Sequence, residues 1–139
     1  MSFLLDTNVV SEWMKPRPNA GVISWLAEVD EDRVFLSVVT VTEVRCGIES
    51  MVLGSKRKRL SEWLEDELPL RFEGRILNID PVIADACGKL VARSEVIGRR
   101  MEVMDAFIAA TAESCSLTVV TRNTSRFEPL VKDILNPWN

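Results

Sequence analysis

The chain has 139 residues, of which 47% are hydrophobic and 27% charged, the balance of an ordinary globular protein. A chain of this length buries roughly 70% of its unfolded surface, so we expect one domain over residues 1–139. No apolar run approaches the roughly 18 residues that span a bilayer, and no basic signal region opens the chain. We therefore expect a cytoplasmic protein without a membrane partner. The net charge of −4 argues against a protein that coats nucleic acid by charge alone.

The residue types that are missing restrict the possible chemistry. The chain contains no histidine and no tyrosine, and histidine is the usual general base near neutral pH. Hydrolytic chemistry would therefore depend on carboxylates, Lys, Cys, Ser, Thr or a metal-bound water. Cys46, Cys87 and Cys115 are odd in number and form no CxxC pair, so we interpret them as buried apolar side chains and not as zinc ligands or disulfide partners.

Hydrophobic periodicity predicts strands that alternate with helices. In chain order we predict a strand at 3–5, helices at 7–14 and 19–29, a strand at 34–39, a helix from residue 40 that ends before Gly54, a helix through 60–68 that ends before Pro69, a strand at 75–79, helices at 81–97 and 102–115, a strand at 117–120 and a short strand at 134–135. Asp80-Pro81 is a strong helix start, because Asp caps helices and Pro suits the first helical position. This order predicts an α/β fold, a three-layer α/β/α sandwich with a central parallel sheet of four to five strands.

Polar residues follow several of the predicted strands. Asp6 follows the first strand, Glu43 lies one turn into the helix after the second, Asp105 begins the helix before the fourth, and Asn123 comes after the fourth. Ligands of parallel sheets bind at the carboxyl ends of the strands, so all four can converge at one edge.

Three converging carboxylates repel one another and raise their own pKa values. A Mg²⁺ or Mn²⁺ ion removes that cost, because hard cations prefer oxygen ligands. Such a site permits attack of metal-activated water on a phosphodiester, with the metal also stabilising the leaving oxygen. The acids therefore predict a hydrolase of phosphodiester bonds.

Each acid also has a structural interpretation. Asp6 can simply cap the following helix, and Glu43 completes a capping-box pattern that begins at Thr40. Asp105 has apolar neighbours, which favours a paired or functional acid over a solvated one. Asp80 is best explained as a helix cap because Pro81 follows it. On the residues alone, both interpretations of Asp6 and Glu43 stay open.

Two surface features also have two interpretations. The basic runs 56–59 and Arg99-Arg100 are either solvated surface or contacts to phosphate. Three tryptophans exceed what one small core readily hides, and they either cap that core or lie at a dimer interface: Trp25, Trp63 and Trp138.

Several segments resemble, in order, the motifs of the PIN-domain family. They are 5–12 (LDTNVVSE), 36–47 (LSVVTVTEVRCG), 105–112 (DAFIAATA), Thr121-Arg122-Asn123 and Asn136-Pro137-Trp138. The resemblance spans essentially the whole chain, and it is to the toxins of the VapC and FitB type.

The resemblance implies a PIN-like sandwich, a carboxylate site for Mg²⁺ or Mn²⁺, and RNA cleavage by the toxin component of a type II toxin–antitoxin system. It also implies a homodimer and a small cognate antitoxin that blocks the site and directs the complex to operator DNA. Carried over by position, the metal-binding acids are Asp6, Glu43 and Asp105. Thr7 and Asn8 would support Asp6, and Thr121 would line the site through its hydroxyl.

One departure from the family pattern motivates an alternative. Many relatives carry a fourth acid in or just after the Thr-Arg-Asn segment, whereas this chain has Asn123 and Arg126 there. Asn123 can bind a cation through its carbonyl or orient a water, but it adds no charge, which argues against a tightly held second metal. The alternative is a catalytically weak or inactive PIN-domain protein that holds RNA or an antitoxin–DNA assembly. A phosphotransfer domain fits poorly, because Asp6-Thr7-Asn8 is not Asp-x-Asp.

Overall fold

The computed structural model of the chain describes residues 1–139. Its centre is a five-stranded, fully parallel sheet in the order β3-β2-β1-β4-β5. The strands are β1 Phe3–Leu5, β2 Val34–Ser37, β3 Ile76–Leu77, β4 Thr118–Val120 and β5 Ile134–Leu135. The predicted α/β class and parallel sheet are confirmed, and the carboxyl ends of all five strands lie at the same edge.

Helices cover both faces of this sheet. They are α1 Thr7–Trp13, α2 Ala20–Glu28, α3 Val38–Glu49, α4 Ser55–Glu62, α5 Leu68–Arg71, α6 Pro81–Val96, α7 Val103–Cys115 and α8 Thr124–Phe127, with a 3₁₀ turn at Glu31–Arg33 and a π-helical turn at Trp63–Glu67. No helix is both long enough and apolar enough to cross a bilayer.

Successive side chains along the strands point alternately into two separate hydrophobic cores, one on each face of the sheet. Leu4 and Val119 point into the core that α6 and α7 cover, whereas Leu5 and Val120 point into the core beneath α1 and α3. Successive strand residues face opposite sides of a sheet, so one short strand serves both layers. The predicted three-layer arrangement is confirmed.

The second strand is shorter than predicted. Ser37 accepts a hydrogen bond from the Val39 N–H through its hydroxyl (3.1 Å), which caps α3 and begins the helix at Val38. The prediction of a strand through residue 39 is therefore wrong, because a local cap overrides the strand preference of two valines. The capping-box interpretation of Thr40 and Glu43 is also wrong, since both residues lie inside α3.

The predicted stop at Pro69 is wrong too, because the chain remains helical through Arg71. Within the preceding π-helical turn, the Leu68 N–H donates to the carbonyl of Trp63, five residues earlier. The wider π-helical turn accommodates Pro69, whose ring would clash with the carbonyl four residues earlier in a regular α-helix.

The prediction that all three cysteines are buried is wrong. Only Cys87 is buried, whereas Cys46 and Cys115 are exposed free thiols. On α6, Val82 is 69% exposed, because the helix buries the stripe of Ile83, Cys87 and Leu90. The spacing of that stripe at i, i+4 and i+7 leaves Val82 on the outer face.

The C-terminal tail is fixed against the start of α2. A Cβ atom added at Gly21 would lie 2.5 Å from the Pro137 carbonyl oxygen and 2.9 Å from the Asn139 nitrogen. Only glycine allows so close an approach of two backbones. The approach holds Trp138 near the carboxyl ends of the strands, where the Arg122 guanidinium lies 5.7 Å from the centre of its ring.

Candidate active site

An open cleft of about 340 Å³ lies where the chain leaves β1 and β4. We call it the acidic cleft. It is lined by four acids (Asp6, Glu12, Glu43, Asp105), three basic residues (Lys15, Arg122, Arg126), the polar residues Thr7, Asn8, Ser11 and Asn123, and Trp138. The structure thus brings Asp6, Glu43, Asp105 and Asn123 to one cleft.

Asp6 lies at the base of the acidic cleft and is only 5% exposed. Its Oδ1 accepts a hydrogen bond from the Thr7 N–H (2.8 Å), and its Oδ2 accepts from Thr121 Oγ1 (2.8 Å) and Asn8 Nδ2 (3.3 Å). Burial raises the pKa of the Asp6 carboxyl, the hydrogen bonds from Thr121 and Thr7 lower it in part, and the charge of Glu43 raises it further. Asp6 caps α1, and its second oxygen has a separate set of partners.

Thr121 joins several parts of the site although it is fully buried. Its hydroxyl donates to Asp6 and accepts from the Asn123 N–H (3.0 Å) and from Asn8 Nδ2 (3.2 Å). The family resemblance implies that the Thr121 hydroxyl lines the site. In the structure Thr121 does not line the cleft, and its hydroxyl lies beneath Asp6 and is bonded to that carboxylate.

Glu43 reaches the acidic cleft from the second turn of α3. Its Oε1 accepts a hydrogen bond from Thr7 Oγ1 (2.6 Å), and the buried Thr40 hydroxyl lies 3.3 Å from the same oxygen of Thr7. Glu43 caps no helix, so its structural interpretation loses its basis. Thr7 links the Asp6 segment to the Glu43 segment.

Asp105 enters from the first turn of α7 and faces Arg126. The Arg126 Nη1 lies 3.9 Å from Asp105 Oδ2, and the Asp105 side chain is 13% exposed. Burial raises the pKa of Asp105, the charge of Asp6 raises it further, and the charge of Arg126 lowers it in part. Arg126, one of the two positions where the family resemblance implies an acid, thus places a positive charge beside one of the three acids.

The donor set suits a hard divalent cation, but the side chains are not arranged around one point. No three His, Cys, Asp or Glu side chains in the chain are grouped closely enough to hold a metal ion. Instead, Asp6 is bonded to Thr121, Glu43 to Thr7, and Asp105 faces Arg126. The three acids therefore share one cleft, but their carboxylates do not surround a common point.

Asn123 follows β4 and lies at the wall of the acidic cleft. It occupies the cap position of α8, a one-turn helix that the sequence pattern did not predict, and its side chain caps no helix N–H. Its amide is therefore available to the cleft, whereas its backbone N–H is held by Thr121.

Glu12 is an acid of the cleft that the sequence analysis did not single out. It is nearly buried, pairs with Lys15 Nζ (2.8 Å) and accepts the Asn19 N–H (2.9 Å). These hydrogen bonds lower the pKa of Glu12, in contrast to Asp6 and Asp105. Because both of its oxygens are satisfied by the joint between α1 and α2, Glu12 stabilises that joint. Its signal in the sequence was its place in segment 5–12, on the helix that Asp6 caps.

Three relatives align with this chain over nearly the whole length of both proteins. "Plasmid stability protein StbB" of Pseudomonas syringae pv. tomato is 41% identical over 97% of this chain and 97% of its own. "Toxin FitB" of Neisseria gonorrhoeae is 39% identical over 98% of both chains. "VapC ribonuclease Y4jK" of Sinorhizobium fredii is 36% identical over 97% of this chain and 96% of its own.

Solved structures agree with the sequence relatives. The crystal structure of FitAcB from Neisseria gonorrhoeae superposes with a TM-score of 0.92 at 39% identity and covers 99% of both chains. FitAB bound to an IR36 DNA fragment superposes with a TM-score of 0.91 at 37% identity, over 99% of this chain and 96% of that one. The family model described as "PIN domain" matches residues 3–129, which include every acid of the cleft. The chain therefore belongs to the PIN-domain family and is of the kind that the FitB and VapC proteins represent.

Proposed function

We propose that the chain is a Mg²⁺- or Mn²⁺-dependent endoribonuclease and the toxin component of a type II toxin–antitoxin system. The observation that carries the proposal is the meeting of Asp6, Glu43 and Asp105 in one cleft of a chain without histidine. The names of the FitB and VapC relatives supply the toxin and ribonuclease parts of the proposal.

Asp6, Glu43 and Asp105 would hold the cation through carboxylate oxygens. A divalent cation bound there would polarise the phosphodiester and lower the pKa of a water molecule. Glu43 and Asp105 are partly exposed, and each has one exchangeable partner, Thr7 or Arg126, so their carboxylates can turn toward Asp6.

The surrounding residues orient the acids. Thr121 and Asn8 fix the Oδ2 atom of Asp6, which keeps this acid from turning away. Support of this kind around a metal ligand typically accounts for about 10- to 100-fold in metal affinity or activity. The amide of Asn123 can orient a water or bind the cation through its carbonyl oxygen. Glu12 is bound to Lys15 and to the Asn19 N–H, and Asn123 and Arg126 are not acidic, so no fourth acid is free to bind a cation. We therefore propose one resident metal, and a second only when substrate phosphate supplies oxygens.

The partners follow from the relatives. FitAB was solved bound to DNA, so we propose a cognate antitoxin for this chain and operator DNA as a contact of the antitoxin. An RNA substrate implies action in the cytoplasm. We also propose a homodimer. This proposal rests on the family resemblance alone, because the packing of two of the tryptophans does not support a dimer interface. Trp63 packs edge-to-face on Trp13 (5.9 Å) and Trp25 on Phe3 (5.1 Å), so they cap the core.

The test is cleavage of single-stranded RNA by the purified chain. We expect cleavage in Mg²⁺ or Mn²⁺, none in EDTA, and none by folded Asp6→Asn or Asp105→Asn protein. Full activity in both variants would refute the proposed site.

A second candidate, a protein that binds RNA or an antitoxin–DNA assembly without turnover, is favoured by one observation. Arg126 places a positive charge 3.9 Å from Asp105, where a cation would otherwise be held. Metal-dependent cleavage of any RNA by the wild type excludes this candidate. RNA binding that is unaffected by EDTA, without cleavage in either metal, would establish it.

A further inference from the structure

A second groove of about 430 Å³ adjoins the acidic cleft. We call it the basic groove and define it by Arg99, Arg100, Glu102, Asp105, Ser125 and Arg126. Asp105 and Arg126 line both depressions, so the two share a wall. A chain molecule that enters the acidic cleft can therefore continue into the basic groove.

The loop that carries Arg99 and Arg100 is fixed in place. Gly98, with φ of +74°, ends the turn after α6, and the Arg99 N–H donates to the Ser94 carbonyl (3.0 Å). The buried Ser94 hydroxyl accepts the Met101 N–H (2.9 Å), which closes the loop from its other side. The two guanidinium groups are thus presented by a loop with anchors at both ends.

The arginines of the basic groove keep hydrogen-bond donors for a ligand. Arg99 donates through Nη2 to the Ser125 carbonyl (2.9 Å), and Arg100, whose side chain is 76% exposed, only faces Glu95 at 3.7 Å. Three guanidiniums and two carboxylates line the groove, and Glu95 faces Arg100 from outside it, so the groove concentrates arginine donors in a chain of net charge −4. A guanidinium binds phosphate through paired N–H groups.

The other basic run of the chain differs. Within residues 56–59, Arg57 pairs with Glu49 (3.0 Å), and none of the four lines either the acidic cleft or the basic groove. Lys56 and Lys58 make no ion pair and are exposed, so they offer a matched control for the loss of two positive charges.

We propose that the basic groove binds the phosphodiester backbone of the RNA on one side of the bond that is cut. Arg99 and Arg100 contact successive phosphates, and Arg126 contacts the phosphate nearest the acidic cleft. Such contacts position a strand without reading its bases, so this groove sets the register and length of the substrate and not its sequence. The choice of RNA as ligand rests on the proposed function.

The experiment measures the Kd of a short single-stranded RNA in EDTA, where cleavage does not interfere. We expect Arg99→Ala/Arg100→Ala to weaken binding by roughly 100-fold, about tenfold for each charge-assisted hydrogen bond that is lost. The plot of log K against log salt should lose a slope of about 0.7 for each lost phosphate contact. Lys56→Ala/Lys58→Ala should bind as the wild type does. Arg100→Ala alone loses no hydrogen bond within the protein, and we expect it to give part of the effect with unchanged thermal unfolding.

The outcomes separate this proposal from the proposed function. Equal RNA binding by the two double variants, or no RNA binding by the wild type, would overturn the basic groove whatever the cleavage assay shows. The groove would instead be assigned to an acidic polypeptide if polyglutamate, and not RNA, bound the wild type and lost this binding in Arg99→Ala/Arg100→Ala. That result would also overturn the RNA proposal. Absence of cleavage in Mg²⁺ and Mn²⁺ would contradict the proposed function, and a weaker Kd of Arg99→Ala/Arg100→Ala would still support the groove.

Discussion

Two aspartates of this chain follow a strand and cap a helix, yet their surroundings differ. Asp80 lies after β3, at the edge of the sheet, is exposed, and accepts the Ile83 N–H (2.8 Å) at the start of α6. Asp6 follows β1, at the centre, and accepts the Thr7 N–H (2.8 Å) at the start of α1. Asp6 also accepts the hydroxyl of Thr121, which follows the neighbouring strand β4.

The difference shows what a central strand adds to a helix cap. Flanking strands bring their own carboxyl ends beside Asp6, so its second oxygen meets residues distant in sequence, whereas the edge strand β3 has a neighbour on one side only. The same local pattern therefore gives a purely structural cap at Asp80 and a buried carboxylate within a cleft at Asp6.

The largest expected effect is on cleavage. Asp6→Asn should lower kcat/KM for RNA by more than about 100-fold, the upper end of what is lost when only a supporting residue of a metal site is removed. Asp80→Asn should leave kcat/KM unchanged, since Asn caps a helix as well as Asp does. The measurement is steady-state cleavage of one RNA by both variants. Equal losses of kcat/KM would contradict the difference between Asp6 and Asp80.

A smaller loss is expected when the support of Asp6 is removed. Thr121→Val should lower activity by roughly 10- to 100-fold. It should also lower the free energy of unfolding by about 1–3 kcal/mol, because Asp6 and the Asn123 N–H lose a buried partner. Thr111→Val is the matched control, since Thr111 is equally buried and its hydroxyl donates to the Phe107 carbonyl within α7. Similar activity losses in both variants would contradict the role of Thr121.

Substitution of Asp80, at the edge of the sheet, should change the stability of the chain and not its activity. Asp80→Ala should cost about 1 kcal/mol, the usual value of a helix cap, and Asp80→Asn should cost almost nothing. For a chain of this size, that corresponds to a fall in Tm of about 4 °C. Differential scanning calorimetry of the two variants gives the comparison, and an activity loss in Asp80→Ala beyond its loss of stability would assign Asp80 to the site.

The smallest effect concerns pH. In the folded chain the pKa of Asp105 is raised by burial and by the charge of Asp6, so its carboxyl holds a proton more tightly than in the unfolded chain. Its ionisation therefore destabilises the folded state as pH rises above about 4, the ordinary value, and the cost is complete above the raised pKa.

Asp105→Asn lacks this cost. Without metal, we expect the variant to gain stability relative to the wild type between acidic and neutral pH, and to show no such gain below about pH 4. Urea unfolding in EDTA at several pH values measures the difference. A difference in unfolding free energy between the two proteins that does not change with pH would show that the ionised Asp105 carboxylate does not destabilise the folded chain.

Features that depend on nearby residues could be predicted from the sequence. Asp80-Pro81 marks the start of α6 through a cap and a proline in adjacent positions, and the structure confirms both. The same local rules fail where a second signal competes. Ser37 caps α3 three residues ahead of Thr40, and a π-helical turn lets the chain continue through Pro69.

The sequence could predict which residues lie in the cleft, but not how their side chains are arranged. Alternating strands and helices predict a parallel sheet whose strands all end at one edge, and Asp6, Glu43 and Asp105 lie in a cleft there. The partners of each carboxylate depend on contacts distant in sequence, such as Thr7 with Glu43, 36 residues apart, and no periodicity indicates them. Glu12 escaped notice for the same reason, because the Asn19 N–H that it accepts lies beyond two prolines.

The central claim, that Asp6, Glu43 and Asp105 jointly hold one divalent cation, is tested most directly by Mn²⁺ binding measured by titration calorimetry. We expect the wild type and Asp80→Asn to bind Mn²⁺ alike, and Asp6→Asn, Glu43→Gln and Asp105→Asn each to weaken binding. Mn²⁺ binding of equal strength in all five proteins, or none in the wild type, would contradict it.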